Sequence, residues 1–123
     1  MILVDACGWL EYFTDGPLAD EYYQYLKKPK EIITPTIILY EVYKKIKMER
    51  TEEDALLAAA QIQETEIFNL TESIALAAAD FSLEYKMPMA DAIVYATASL
   101  KNAKIATSDA HFEKLDKVIF LKK

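Results

Sequence analysis

The residues Met1-Ile2-Leu3-Val4-Asp5-Ala6-Cys7 combine the features that decide the fold of this chain. Ile2-Leu3-Val4 is short, apolar and partly β-branched, which is typical of a buried strand. Asp5 ends that strand, and apolar residues then recur at helical spacing from Cys7 to Phe13. A buried strand followed at once by a helix indicates the first unit of an α/β protein.

The same alternation of short apolar strands and helices continues along the chain. Further strands are predicted, with helices between them, at Ile32-Ile33, Ile67-Phe68, Lys104 to Thr107 and Val118 to Phe120. Thr34 is predicted as the N-cap of the third helix, with Pro35 at its first position. The strands are continuous apolar runs, which indicates a parallel sheet covered on both faces. The predicted fold is therefore α/β, a three-layer α/β/α sandwich whose mostly parallel sheet has about four to five short strands.

Composition and charge favour one folded domain, residues 1–123. The apolar share of 53% excludes intrinsic disorder, and the single cysteine excludes an intrachain disulfide framework. The net charge of −6 excludes a broadly basic nucleic-acid-binding surface, although it leaves room for a local basic patch. No segment reaches the roughly 18 apolar residues of a membrane span, and no basic segment of a signal peptide is present. We therefore expect a cytoplasmic protein without membrane association.

Four acidic residues occupy positions from which burial normally excludes a carboxylate. Asp5 follows the first strand and Asp109 follows the fourth, and parallel sheets bind ligands at the carboxyl ends of their strands. Glu41 and Asp91 lie inside apolar helical segments. Carboxylates that share a pocket repel one another, and a divalent cation removes that penalty. Oxygen ligands of this kind favour Mg²⁺ or Mn²⁺, whereas zinc is disfavoured because the sequence has no cluster of His and Cys.

Each acid also has a structural explanation when it is taken alone. Asp5 and Asp109 can be helix N-caps. Glu41 can pair with Lys45 on a solvated helix face, since the two are four residues apart. Asp91 can interact with the dipole of its own helix, but that helix is apolar on every face and is therefore predicted to be buried.

The chain resembles the PIN-domain family, in particular the small VapC-like toxins of toxin–antitoxin pairs. The resemblance rests on the strand that ends in Asp5, on Glu41 in the third helix, on Met89-Ala90-Asp91-Ala92-Ile93-Val94-Tyr95-Ala96-Thr97-Ala98 and on Thr107-Ser108-Asp109-Ala110-His111-Phe112. Many relatives have Ser or Thr soon after the first acid, where this chain has Ala6-Cys7.

The resemblance implies a Mg²⁺- or Mn²⁺-dependent endoribonuclease. Its catalytic and metal-binding residues would be Asp5, Glu41, Asp91 and Asp109, with Asp5 and Asp91 as direct ligands. Its partners would be an RNA substrate and a VapB-like antitoxin protein. Two other functions stay open, an RNA-processing nuclease without an antitoxin and a catalytically silent PIN-like module that binds RNA or protein. The Ala6-Cys7 departure favours the silent module.

Several further residues are candidate contacts, each with a structural alternative. Thr107 and Ser108 are candidate hydroxyl contacts to the metal shell or to RNA, or else turn and cap residues. A basic run beyond Glu41 is either a contact to the RNA backbone or a solvated face, and it consists of Lys44, Lys45, Lys47 and Arg50. Tyrosines concentrated in the first three helices suit a homodimer contact or an antitoxin groove, or else a core edge.

Two further residues are interpreted as structural. His111 is the one histidine of the chain; it could act as a general acid or base, and it is expected to be a surface residue of a short helix. Cys7 is expected to be a small buried packing residue.

Overall fold

A computed structural model describes all residues, 1–123, and contains one five-stranded sheet in which every pairing is parallel. The strands are β1 (Ile2–Val4), β2 (Ile32–Pro35), β3 (Glu66–Phe68), β4 (Lys104–Thr107) and β5 (Val118–Phe120). Their order across the sheet is β3-β2-β1-β4-β5. The predicted α/β fold with a parallel central sheet is confirmed.

Six α-helices connect these strands. They are α1 (Ala6–Phe13), α2 (Ala19–Leu26), α3 (Thr36–Glu49), α4 (Glu52–Ile62), α5 (Glu72–Tyr85) and α6 (Met89–Leu100). A helix pair follows each of the first three strands, whereas only a 3₁₀ turn, Ala110–Phe112, lies between β4 and β5. None of these helices has the length and hydropathy needed to cross a bilayer.

The strand order reverses at β1, and this reversal positions the candidate site. The chain steps from β1 to β2 and β3 on one side and then crosses back to β4 on the other side of β1. Because crossovers between parallel strands are right-handed, the reversal places α5 and α6 on the face opposite the earlier helices. Val4 pairs with Ala106 in register, so the residues after each strand emerge together. Open parallel sheets bind ligands at such a point.

The core lies between the sheet and its helices. Leu3 and Val4 of β1 and Ala106 of β4 are fully buried. Helix α6 is buried over seven successive residues, from Ala92 to Ala98. This continuous burial confirms that α6 is a core helix. An acid directly before such a buried stretch, Asp91, is unusual.

The start of α3 differs from the prediction. Pro35 is the last residue of β2 and the N-cap of α3, and it pairs with Phe68 of β3. Thr34 is a fully buried strand residue whose hydroxyl hydrogen-bonds to that of Thr65 at 2.7 Å. The predicted N-cap role of Thr34 is wrong because its hydroxyl has a partner from a distant segment, which keeps Thr34 in the strand.

Candidate metal centre

Asp5 lies at the carboxyl end of β1 and is almost fully buried, with 5% of its surface exposed. Its Oδ1 accepts a hydrogen bond from the backbone N–H of Ala6 at 2.8 Å, which makes Asp5 the N-cap of α1. Its Oδ2 accepts a hydrogen bond from the Thr107 hydroxyl at 2.8 Å. Burial raises the pKa of Asp5, and the hydrogen bonds from Thr107 and Ala6 oppose that rise. Asp5 is therefore both a cap and a carboxylate held rigidly at the reversal point of the sheet.

Thr107, the last residue of β4, connects two of the acids. While its hydroxyl donates to Asp5, its Oγ1 accepts the backbone N–H of Asp109 at 3.0 Å. The adjacent Ser108 points its hydroxyl elsewhere, to the hydroxyl of the buried Tyr22 at 2.7 Å. Thr107 thus contacts the acids directly, whereas Ser108 ties the same loop to α2.

The Cys7 thiol belongs to the same polar network, so its interpretation as a packing residue alone was wrong. Its Sγ lies 3.5 Å from the Thr107 hydroxyl and 3.8 Å from Asp5 Oδ2. It also accepts the backbone N–H of Ser108 at 3.4 Å. Burial, and then the charge of Asp5, raise the pKa of Cys7, which keeps it a neutral thiol. This chain therefore places a thiol within the polar network that surrounds the first acid.

Asp91 and Asp109 meet at a third residue, His111. His111 Nδ1 lies 2.9 Å from Asp91 Oδ2 and 3.0 Å from Asp109 Oδ1. The ligating atoms of these three side chains all lie within 4.8 Å of one another. Asp91 comes from the first turn of α6, and Asp109 caps the 3₁₀ turn that contains His111. His111 lies at the surface of a short helix as expected, but it also contacts both acids, which the sequence did not predict.

Glu41 completes the acidic cluster from α3. Burial and the negative charges of the other three acids raise the pKa of Glu41 to about 7. Burial, followed by the charges of Asp109 and Asp5, raises the pKa of Asp91 to about 6, and His111 opposes this rise. The structure therefore brings all four predicted acids into one electrostatic environment. Asp91 and Asp109 are close together. Asp5 and Glu41 do not belong to the group formed by Asp91, Asp109 and His111, whose ligating atoms lie within 4.8 Å of one another.

Few cations compensate the charge of these acids. Lys45, the alternative partner of Glu41, pairs with Glu49 at 2.9 Å instead. No lysine or arginine forms an ion pair with any of the four acids, and His111 is their only basic contact. Buried and half-buried carboxylates that repel one another and lack a lysine or arginine partner form a donor set that suits a hard divalent ion such as Mg²⁺ or Mn²⁺.

The residues of the predicted basic run are exposed, and they do not form one patch beside the four acids. Lys47 pairs with Glu52 at 3.1 Å, and Lys44 lies over the Tyr40 ring, 5.5 Å from its centroid. Arg50 lines a cavity that contains none of the four acids. Lys45 is different, because it lines a cavity of about 280 Å³ that also includes Cys7.

A second basic feature, at the C-terminal end of the chain, was missed from the sequence. Lys122 and Lys123 line an open cleft of about 600 Å³ together with Cys7, Ser108 and Asp109. Lys123 also pairs with the buried Glu11 at 3.3 Å. Two terminal lysines give no sequence signal of a site, since only the position of β5 beside β4 brings them to the acids.

The fold and this cluster define an α/β protein with a carboxylate-rich site at the carboxyl edge of a parallel sheet. Residues 2–118 match the PIN domain, and the chain therefore belongs to the PIN domain family. The sequence has no significant match among curated proteins.

Solved structures of similar fold include several toxins. A toxin–antitoxin complex from Klebsiella pneumoniae is 25% identical, with a TM-score of 0.81 and 100% of both chains covered. VapC20 from Mycobacterium tuberculosis, described as a sarcin-ricin loop cleaving toxin, is 17% identical, with a TM-score of 0.80 and full coverage of both chains. VapBC2 from Rickettsia felis, bound to a DNA fragment from its promoter, is 17% identical, with a TM-score of 0.77 and coverage of 99% and 98%. The family match and these likenesses over the whole length show that the chain has the PIN fold.

Proposed function

We propose that this chain is a metal-dependent endoribonuclease, the toxin of a VapBC-type toxin–antitoxin pair, which hydrolyses RNA phosphodiester bonds at the four-acid site. One observation carries the proposal. Carboxylates from the end of β1, from α3, from α6 and from the turn after β4 share one environment in which no lysine or arginine compensates them. Such an arrangement is unfavourable for a protein alone, and a divalent cation stabilises it.

Within this site each acid has a distinct task. Asp5 and Asp91 are proposed as direct ligands of Mg²⁺ or Mn²⁺, and Glu41 and Asp109 as residues that orient waters or complete the shell. Thr107 holds Asp5 in one orientation through its hydroxyl, and through its contact with the Asp109 N–H it fixes the spacing between two of the acids. When bound, the ion supplies a water of lowered pKa and stabilises negative charge on the phosphate.

The RNA is proposed to lie in the cleft beside Asp109. Lys122 and Lys123 line that cleft, and phosphates are held by such side chains. Lys45 is a further candidate, because its exposed ion pair with Glu49 is worth at most about 1 kcal/mol and a phosphate can replace that partner. The rest of the basic run, Lys44, Lys47 and Arg50, is proposed to contact the backbone farther from the acids.

The toxin is proposed to bind a protein partner. A VapB-like antitoxin would block the acidic site, and several of the similar solved structures are toxin–antitoxin complexes. We further propose that residues 1–123 act as one domain, as a homodimer and in the cytoplasm.

The test is cleavage of RNA by the purified protein in Mg²⁺ or Mn²⁺. We expect cleavage by the wild type, its loss when the metal is chelated, and a decrease of about 100-fold or more in Asp91→Asn, because a metal ligand has been removed. Asp80→Asn is the matched control, since Asp80 is an exposed aspartate of α5. Equal cleavage by the wild type and Asp91→Asn would exclude the proposed site.

The other two functions are separated by their own observations. Growth arrest on expression that a co-expressed neighbouring gene product relieves distinguishes a toxin from an RNA-processing nuclease. Failure of the wild type to bind either metal would favour the silent module.

A further inference from the structure

We propose that His111 is itself a ligand of the metal ion, through Nδ1, and that this nitrogen makes the site prefer Mn²⁺ to Mg²⁺. The inference deepens the proposed function and rests on it only in requiring that the site binds a divalent ion. It concerns a residue outside the four acids, and it predicts how the site discriminates between Mn²⁺ and Mg²⁺.

The spacing of the donors fits adjacent positions on one ion. Two ligands at right angles, each about 2.1 Å from an octahedral ion, lie about 3.0 Å apart. His111 Nδ1 lies 2.9 Å from Asp91 Oδ2 and 3.0 Å from Asp109 Oδ1. An ion that binds Asp91, with Asp109 completing its shell, therefore lies within reach of the same ring nitrogen.

The position of the ring is fixed by the fold. Asp109 Oδ1 accepts the backbone N–H of His111 at 2.9 Å, which holds the turn in its 3₁₀ conformation. The next residue, Phe112, is fully buried, and its ring lies 6.5 Å from that of Tyr95, one helical turn after Asp91 on α6. The turn that carries His111 and the helix that carries Asp91 are thus joined by a core contact.

The chemistry of imidazole then determines the choice of ion. Carboxylates and water suit Mg²⁺ and Mn²⁺ alike, whereas a neutral imidazole nitrogen suits transition metals and is a poor ligand for Mg²⁺. Coordination through Nδ1 requires the ring to carry its proton on Nε2. The imidazole side chain is 56% exposed, so the outer face of an ion held there stays open to water and to substrate.

The chain offers an unambiguous spectroscopic test, because His111 is its only histidine. Pulsed electron paramagnetic resonance on Mn²⁺ bound to tag-free protein detects the coupling of a histidine nitrogen to the ion. We expect this coupling in the wild type and in the exposed control Lys114→Ala, and we expect its loss in His111→Gln. Labelling the protein with ¹⁵N-histidine should change the wild-type signal, which identifies the nitrogen without any variant.

Calorimetry supplies a second readout. His111→Gln should weaken Mn²⁺ binding by about tenfold or more and Mg²⁺ binding by less than about threefold, so the preference for Mn²⁺ decreases. Bound Mn²⁺ without nitrogen coupling in the wild type, or an unchanged preference in His111→Gln, would overturn the role of His111 and leave the proposed function standing. Absence of Mn²⁺ and Mg²⁺ binding in the wild type would overturn both.

Discussion

Glu41 is the side chain at which the electrostatic repulsion among the clustered acids is most easily measured. Its pKa rises from 4.5 to about 7 because it is half-buried and faces three other carboxylates. A carboxyl whose pKa is higher in the folded state binds more protons there than in the unfolded chain. Stability without metal should therefore fall as the pH rises from about 4.5 to about 7, and the loss is complete above that window.

Glu41→Gln should remove the part of this pH dependence that Glu41 contributes, while Asp91, whose pKa is also raised, keeps its own part. In the presence of a chelator at about pH 8, we expect the variant to be more stable than the wild type by about 1 kcal/mol, a value reduced to allow for solvent screening of a half-exposed group. At about pH 4 the difference should disappear, because Glu41 is protonated in both states. Urea unfolding at the two pH values is the measurement, and Glu53→Gln on the exposed face of α4 is the control. Parallel pH profiles for the wild type and Glu41→Gln would contradict the shared environment.

The sequence singles out the four acids as candidates, but it does not reveal the residues that contact them. Asp91 stands out because it lies in an apolar helix, and Asp5 because it ends a strand. The roles of Cys7 and His111 depend on partners that are distant in sequence, such as Thr107, which is 100 residues from Cys7. The one local hint was the Asp109-x-His111 spacing, since an N-cap aspartate brings the residue two positions later beside its own carboxylate.

The contact between helices α1 and α2 holds the loop after β4 in position beside the site. Gly8 on α1 allows the buried Tyr22 of α2 to approach, and the Tyr22 hydroxyl bonds to Ser108 in the loop that follows β4. A Cβ at position 8 would meet the Tyr22 ring and lie 2.8 Å from Cγ1 of Val4. The spacing of two helices thus depends on one glycine.

Gly8→Ala should destabilise the protein by about 1–3 kcal/mol, because the added methyl group overpacks a buried contact. The sign of this change in stability is informative, because replacing glycine by alanine inside a helix ordinarily stabilises a protein by about 0.5–1 kcal/mol. Thermal or urea unfolding provides the measurement. Tyr22→Phe, which removes only the hydroxyl, separates the loss of the hydrogen bond to Ser108 from the steric effect. A more stable Gly8→Ala protein would show that the helix contact is not tight.

Elements with strong patterns were predicted well and their boundaries less well. The five strands lie where the sequence predicts them, because apolar runs act locally. Pro35 was placed inside α3 because proline favours the first helical turn, whereas its pairing with Phe68 keeps it in β2. Local preference was overridden there by strand pairing, which the sequence does not reveal.

In the chain as a whole, the order of the strands brings together acids that are far apart in sequence. The reversal at β1 places the end of β1 beside the end of β4, and α3 and α6 then begin close to that edge. The sequence predicts parallel strands and acids at their ends. It does not give the order of the strands, which decides that Asp5 and Thr107 are neighbours.

The proposed homodimer has a candidate contact surface on the outside of the fold. Two adjoining apolar cavities, of about 270 and 350 Å³, share Leu70 and Ile93 and lie along α3, α5 and α6. We expect the wild type to elute at twice the chain mass of 14.0 kDa. Leu70→Asp should shift it toward the monomer without unfolding it, because Leu70 is 54% exposed.

Light scattering coupled to size exclusion measures this mass. Leu83→Asp is the matched control, since Leu83 is 83% exposed and lines neither cavity. A dimer that persists in Leu70→Asp, or a wild-type monomer at every concentration, would place the contact elsewhere or exclude it.

Acids from four parts of the chain are proposed to form one divalent-cation site, and the proposed activity depends on that site. Calorimetric titration of Mn²⁺ into the wild type, Asp91→Asn and Asp80→Asn at about pH 7.5 tests it. We expect saturable binding in the wild type and Asp80→Asn, and binding weakened by about tenfold or more in Asp91→Asn. Equal affinity in all three proteins, or no binding by the wild type, would contradict the claim.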